Sequence, residues 1–247
     1  MQPADSVPDG DAGAAPEELL QVAREAAQIA AELALSWRER ADQLLIEQKT
    51  GPHDLVSQAD REIEDAVRAV VARRRPADGV LGEEGGESAG SSGIYWVVDP
   101  IDGTLSYLYG KADWTISVAA ARSSDRQLLV GVVATPVVNQ VAEASRGGGA
   151  WLNGRRVRVR YTPDLAHAVM EINFGRGDRR LRAGRLVDAL LSRVRHVRRG
   201  GSTAGALAQL AVGQPMRRGR RTCARGTLPP VSYWWKRPAA RSATSRG

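Results

Sequence analysis

An α+β fold, with helices segregated to cover sheets, is what this 247-residue sequence predicts, and three observations predict it. Apolar residues early in the chain recur at three- and four-residue spacing, the period of a helix with one buried face. A central stretch switches to short β-branched and aromatic runs separated by turn residues, and helical spacing returns near residue 181. Helices, then strands, then helices favour segregated layers over a doubly wound parallel sheet.

The elements follow in order. From Pro16 to about Asp42, Leu19, Leu20, Val22, Ala23, Ala26 and Ala27 begin an apolar stripe that continues to Ala34. A loop at Gly51-Pro52 follows. Ile63, Val67, Val70 and Val71 mark a second helix ending in Arg73-Arg74-Arg75 before Pro76, where basic side chains complement the helix dipole. The Gly- and Ser-rich stretch 85–93 reads as a flexible loop, and Ile94–Val98 as a buried strand. Strand-like segments lie around 114–121, 128–135 and 140–145, and a hairpin joins 150–152 to 157–159 through Asn153-Gly154, so the sheet is expected to be antiparallel. Residues 166–172 read as a further strand. Residues 181–192, with Leu181, Leu186, Leu190 and Leu191, read as a helix, and 202–212 as a short one capped by Ser202 or Thr203.

Charge divides the chain. The sequence holds 35 basic and 28 acidic residues, but residues 215–247 carry eight arginines, Lys236 and no acid, which leaves 26 bases against 28 acids in residues 1–214. The net charge of +7 therefore describes the tail and does not make the body a nucleic-acid binder. No stretch approaches the ~20 consecutive apolar residues of a membrane span. The acid-, proline- and glycine-rich residues 1–15 read as a disordered leader and not as a secretion signal. With the single Cys223, they point to a cytoplasmic protein. His53, His167 and His196 are scattered singly and suggest no zinc site.

The chemistry concentrates in Trp96-Val97-Val98-Asp99-Pro100-Ile101-Asp102-Gly103-Thr104, where an apolar strand delivers two acids and a rigid proline into a Gly-Thr turn. Gly103 lets backbone N–H groups approach an anion, and hard carboxylate oxygens suit Mg²⁺. Upstream lie Leu81-Gly82-Glu83-Glu84-Gly85-Gly86, and before it Lys49 followed by Asp54-Leu55-Val56-Ser57-Gln58-Ala59-Asp60. Taken singly these are ordinary: Asp-Pro and Asp-Gly form turns, acids in a Gly-rich loop are solvated, and an Asp before a helix caps it.

Their joint order resembles the inositol monophosphatase family of Mg²⁺-dependent, lithium-sensitive sugar phosphatases. The similarity runs from about residue 17 to 213 and continues through Gly147-Gly148-Gly149-Ala150-Trp151-Leu152-Asn153-Gly154 and Gly201-Ser202-Thr203-Ala204. The resemblance implies a layered α-β-α-β-α sandwich whose last layers are incomplete here. It implies an N-terminal metal-phosphatase region at 16–150 and a partial C-terminal region at 151–214. It further implies that Glu83, Asp99 and the Ile101 carbonyl bind one Mg²⁺, that Asp99 and Asp102 contribute to a second, and that a complete site holds two or three ions. Gly103 and Thr104 would hold phosphate, Thr104 with Asp60 would orient and deprotonate water, and Glu84 would stand behind the ligands. Lys49 would add positive charge, and Gly201, Ser202 and Thr203 would meet the alcohol portion of the substrate.

The expected function is hydrolysis of a small phosphorylated alcohol, inositol 1-phosphate first. Histidinol phosphate, a 3′-phosphoadenosine nucleotide or a sugar bisphosphate are the related alternatives, and anion binding by the basic tail is the non-enzymatic one. No nucleic acid or membrane partner is expected, and the resemblance carries over the family's habit of forming homodimers.

After Gly213 the resemblance stops, and the family's Trp-Asp-x-Ala-Ala-Gly motif, whose aspartate completes the second metal site, does not appear. Synonymous codons chosen for Arg225–Ala240 and read two bases out of frame give Trp-Asp-Val-Ala-Ala-Gly-Val-Leu-Leu-Val-Glu-Glu-Ala-Gly-Gly. The tail at 215–247 thus reads as a frameshift near residues 214–217, and the 247-residue product is expected to be unstable and nearly inactive.

Overall fold

The computed structural model describes residues 15–48, 55–160, 164–174 and 178–213. In chain order these form α1 (Pro16–Glu39), β1 (Ile46–Gln48), β2 (Leu55–Ser57), α2 (Gln58–Arg74), β3 (Gly79–Gly82), β4 (Glu87–Ser88), β5 (Ile94–Asp102), α3 (Thr104–Leu108), β6 (Thr115–Arg122), β7 (Leu128–Thr135), β8 (Gln140–Ser145), β9 (Gly149–Leu152), β10 (Arg155–Val157), β11 (Val169–Glu171), α4 (Asp178–Leu191), β12 (His196–Arg198) and α5 (Thr203–Ala211). The fold is α+β. The leader, Lys49, Asp54, His53 and the tail at 215–247 lie outside the described residues, apart from Ala15 at the end of the leader.

Eight strands form one sheet in the order β10-β9-β8-β7-β6-β5-β3-β4. Along β6, Ile116, Val118 and Ala120 enter the core shared with α1 and α2, while Thr115 and its same-face neighbours turn the other way by strand alternation. Two layers result on opposite faces: α1 and α2 on one, and α5, whose Gly205 lies beside the Thr115 side chain, on the other. The buried alanines 23, 26, 27, 30 and 34 let α1 lie close to α2 and the sheet. Trp96, Ile63 and Val67 fill the space between α2 and β5, each buried aliphatic side chain contributing about 1.5–3 kcal/mol. The Trp96 indole N–H finds a buried acceptor in Asp78 at 2.9 Å, so the large ring carries no unsatisfied donor.

Asn153-Gly154 makes the expected hairpin turn. Both residues have positive φ, 46° and 75°, as the tight turn between β9 and β10 requires. Other expectations are corrected. The sheet is mixed and not wholly antiparallel, because β3 runs parallel to β5. β3 escapes a sequence reading since Val80 and Leu81 stand between glycines without a visible period. The stretch 85–93 is not all loop: a turn with Gly86 at φ 68° folds β4 back on β3. β10 ends at Val157, the strand expected at 166–172 is confined to β11, and Thr104–Leu108 form the helical turn α3. β12, short and polar, pairs parallel with β11 in a separate two-stranded sheet. On α4, Leu181, Leu186 and Leu191 are 68%, 50% and 62% exposed, so the described residues cover this helix only in part. No helix among the described residues is long and apolar enough to cross a membrane.

Candidate active site

The carboxyl end of β5 organises the site. Asp99 and Asp102 are three residues apart, which on a regular strand would send their side chains to opposite faces. Here Asp99 pairs with Ser117 and Asp102 with Thr115, so three steps on β5 match two on β6 and a bulge absorbs the extra residue. Both carboxylates therefore leave the same face, the one carrying α5. Ile101, within the bulge, sends its side chain into the core at 2% exposure and presents its carbonyl to the Thr104 hydroxyl at 3.2 Å.

Asp60 arrives from the start of α2. It completes a capping box with Ser57: its Oδ2 accepts from the Ser57 N–H at 2.8 Å and the Ser57 hydroxyl at 2.6 Å, while its own N–H is capped by Ser57. That leaves Oδ1 facing the Thr104 hydroxyl at 3.5 Å. The capping role and the site role thus fall on one residue.

Gly103 links β5 to α3 with φ 103°, a conformation favourable only to glycine, and a Cβ there would stand 3.1 Å from the Gly201 carbonyl group. This close approach brings Gly201-Ser202-Thr203 to the Asp-Gly-Thr turn across a hundred residues of sequence. Ser202 caps α5 and donates to Asp102 Oδ2 at 2.7 Å, and the Ala204 N–H donates to the same oxygen. Thr203 also accepts a hydrogen bond from Asn173 on the chain following β11. Thr115 joins Ser202 from below at 2.7 Å, and Asp113 holds the Gly201 N–H at 2.7 Å.

The electrostatics converge on Asp99. Burial pushes its carboxyl well above the ordinary carboxylate range, and the charges of Asp102, Glu83, Asp60 and Glu84 push it further. Among the described residues its Oδ1, shut off from solvent, has no hydrogen-bond partner. Burial raises Asp102 as well, opposed by the Ser202 hydroxyl and the Ala204 and Thr203 N–H groups. Among the described residues no three His, Cys, Asp or Glu side chains stand ready-formed as a metal cage. The donor set nevertheless fits magnesium: it is all oxygen, several carboxylates bear on one point, and the central oxygen lacks a partner that a cation would supply.

Every candidate from the sequence except Lys49 is among the described residues, and the electrostatics and hydrogen bonds connect Asp60, Glu83, Glu84, Asp99, Ile101, Asp102, Thr104, Ser202 and Thr203 around this turn. Sequence reasoning missed Asp113, Thr115 and Glu64. The first two carried no motif. Glu64 did carry a signal, an acid set among Ile63, Val67 and Val71 on the buried side of α2.

Similar proteins are known by sequence and by fold. The model of the inositol monophosphatase family matches residues 15–215. An inositol-1-monophosphatase of Rhizobium meliloti (strain 1021) is 40% identical over 171 residues, covering 66% of this chain and 62% of that protein. One from Mesorhizobium japonicum is 37% identical over 167 residues with the same coverage of each. The chain thus spans less than two thirds of the length of these curated relatives. Among solved structures, the extragenic suppressor protein suhB of Bartonella henselae superposes with a TM-score of 0.74 at 30% identity, over 78% of this chain and 74% of that one. Because the family match takes in every described element and stops where the acid-free tail begins, the chain belongs to the inositol monophosphatase family.

Proposed function

We propose that the chain is a Mg²⁺-dependent phosphomonoesterase, with inositol 1-phosphate as its first substrate. The observation that carries this reading is the buried Oδ1 of Asp99, without a partner among the described residues and amid the charges of four other carboxylates. Glu83, Asp99 and the Ile101 carbonyl would hold one Mg²⁺, and Asp99 with Asp102 a second. Bound magnesium neutralises phosphate charge and acidifies water.

The remaining work falls to the chain. The backbone N–H groups of the Gly103-Thr104 turn would meet the phosphate, and Thr104 adds its hydroxyl. A hydroxyl donates one proton, so with Ile101 or Asp60 as acceptor the Thr104 oxygen keeps its lone pairs for a water molecule. That water bonds to phosphorus as the bond to the alkoxide oxygen breaks in line. Thr104, donating to Asp60, takes up the water's proton as it passes its own to Asp60, and the alkoxide takes a proton from solvent to leave as the alcohol. Ser202 and α5 hold Asp102 by one oxygen, and Gly201–Thr203 face the alcohol. Lys49 would add positive charge near the phosphate. The inositol-phosphate reading is supported by the names of the relatives. Histidinol phosphate and sugar bisphosphates share the chemistry and test as competing substrates.

The assay is phosphate release from inositol 1-phosphate by the 247-residue chain and by a version with the frame restored after residue 214. Mg²⁺-dependent release, abolished by chelation and stronger in the restored version, is expected. Release indifferent to chelation, or absent from both versions, would contradict the reading. DNA that reads continuously in the present frame without a nearby insertion or deletion would count against the frameshift.

A further inference from the structure

The acidic loop after β3 is tied down by a buried residue that the proposed chemistry does not use. Glu64 lies one turn beyond Asp60 on α2 and is 1% exposed. Its Oε2 accepts from the Glu84 N–H at 2.7 Å, and its Oε1 from the Gly85 N–H at 2.8 Å and from Arg68 Nε at 2.8 Å. Arg68 reaches on to the Gly86 carbonyl at 2.5 Å and the Ser88 hydroxyl at 3.3 Å. A carboxylate buried alone would be costly, whereas two backbone donors and a guanidinium satisfy this one.

The loop is shaped around that carboxylate. A Cβ built on Gly82 would stand 2.0 Å from Glu64 Oε1 and 2.1 Å from its Cδ, and one on Gly85 would stand 2.7 Å from Oε1. Gly82 and Gly85 thus flank Glu83-Glu84 because a side chain at either place would displace Glu64. Filling the core needs no carboxylate here; both oxygens point at the backbone of the loop.

We propose that Glu64 is the positioning residue of the Glu83-Glu84 loop, fixing where Glu83 stands relative to Asp99 and so setting the affinity of the site for Mg²⁺. The metal half of this proposal rests on Glu83 being a ligand. Residues that orient metal ligands typically change metal affinity 10–100-fold when removed, which is the scale expected here.

Two measurements test it: amide hydrogen exchange on the metal-free chain, and calorimetric titration with Mg²⁺ alone. Glu64→Ala should speed exchange at the Glu84 and Gly85 amides about tenfold or more while β6 stays protected, and should raise the Mg²⁺ half-saturation roughly 10–100-fold. Glu64→Gln, which keeps one carbonyl acceptor, should fall between. Gly82→Ala displaces the carboxylate without altering α2 and guards against a Glu64 variant that fails to fold. It should reproduce the effect, and should add less in the Glu64→Ala background than alone, since the two act through one contact. Wild-type exchange at the loop amides in Glu64→Ala would overturn the proposal, as would a loosened loop with unchanged Mg²⁺ affinity. A wild-type chain that takes up no Mg²⁺ contradicts the reading of the site instead. In that case faster loop exchange in Glu64→Ala still supports the loop assignment and unchanged exchange still overturns it.

Discussion

The Ser202 hydroxyl donates to Asp102 Oδ2 at 2.7 Å and also accepts the Gly205 N–H at 2.7 Å, so one side chain both caps α5 and holds a carboxylate a hundred residues away. Ser202→Ala removes the cap and a buried hydrogen bond together. It should cost about 1–2 kcal/mol in urea denaturation and raise the Mg²⁺ half-saturation, as Asp102 loses a donor. A loss of stability with Mg²⁺ affinity untouched would mean that Asp102 is not a ligand.

Asp60 separates in the same way from its partner. Ser57→Ala breaks the capping box and should cost about 1 kcal/mol of stability. Asp60→Asn keeps the shape of the cap but not a proton acceptor beside Thr104, and should lower turnover by about 10²-fold or more on the frame-restored chain. Equal turnover in Asp60→Asn and wild type would remove Asp60 from the reaction.

Gly103 cannot be replaced cheaply. Its φ of 103° is unfavourable for any side chain, and a Cβ would press on Gly201 at 3.1 Å. Gly103→Ala should destabilise the fold by about 1–3 kcal/mol, and because it pushes apart the Asp-Gly-Thr turn and the Gly201 segment it should also raise KM. Circular dichroism melting and steady-state kinetics check the two effects.

In the metal-free chain the Asp99 carboxyl should stabilise the fold more in mild acid than at neutral pH. Asp99 has its folded pKa raised above the ordinary 3.8 by burial and neighbouring charge, so its contribution is fully present below that value and is lost as pH rises through the folded pKa. Asp99→Asn should therefore melt higher than wild type at pH 7.5 in a chelator, the difference closing toward pH 4. An unchanged melting temperature at pH 7.5 would mean that the charge on Asp99 is not strained.

Much of this was legible from residue types and order. The apolar stripes of α1 and α2 announced themselves, as did the β5 run and the Asn153-Gly154 turn. The Asp99, Asp102, Gly103 and Thr104 cluster was visible because a motif packs two carboxylates and a turn into six residues. What the sequence concealed was three-dimensional. Spacing alone would have put Asp99 and Asp102 on opposite faces, and only the bulge against β6 reverses that. The parallel pairing of β3 was hidden by its brevity, and the contacts of Glu64 with the Glu83-Glu84 loop by their separation in the chain. The Glu83-Glu84 pair read as solvated because its restraint comes from another element, not from its own residues.

On the proposed function, Asp99 anchors a magnesium site. Calorimetric titration of Mg²⁺ into the chelator-stripped 247-residue chain and into its Asp99→Asn variant tests it directly, without depending on turnover. Saturable binding to the wild type that disappears in the variant is the predicted result. Equal binding by both chains, or none by a folded wild type, would contradict the account.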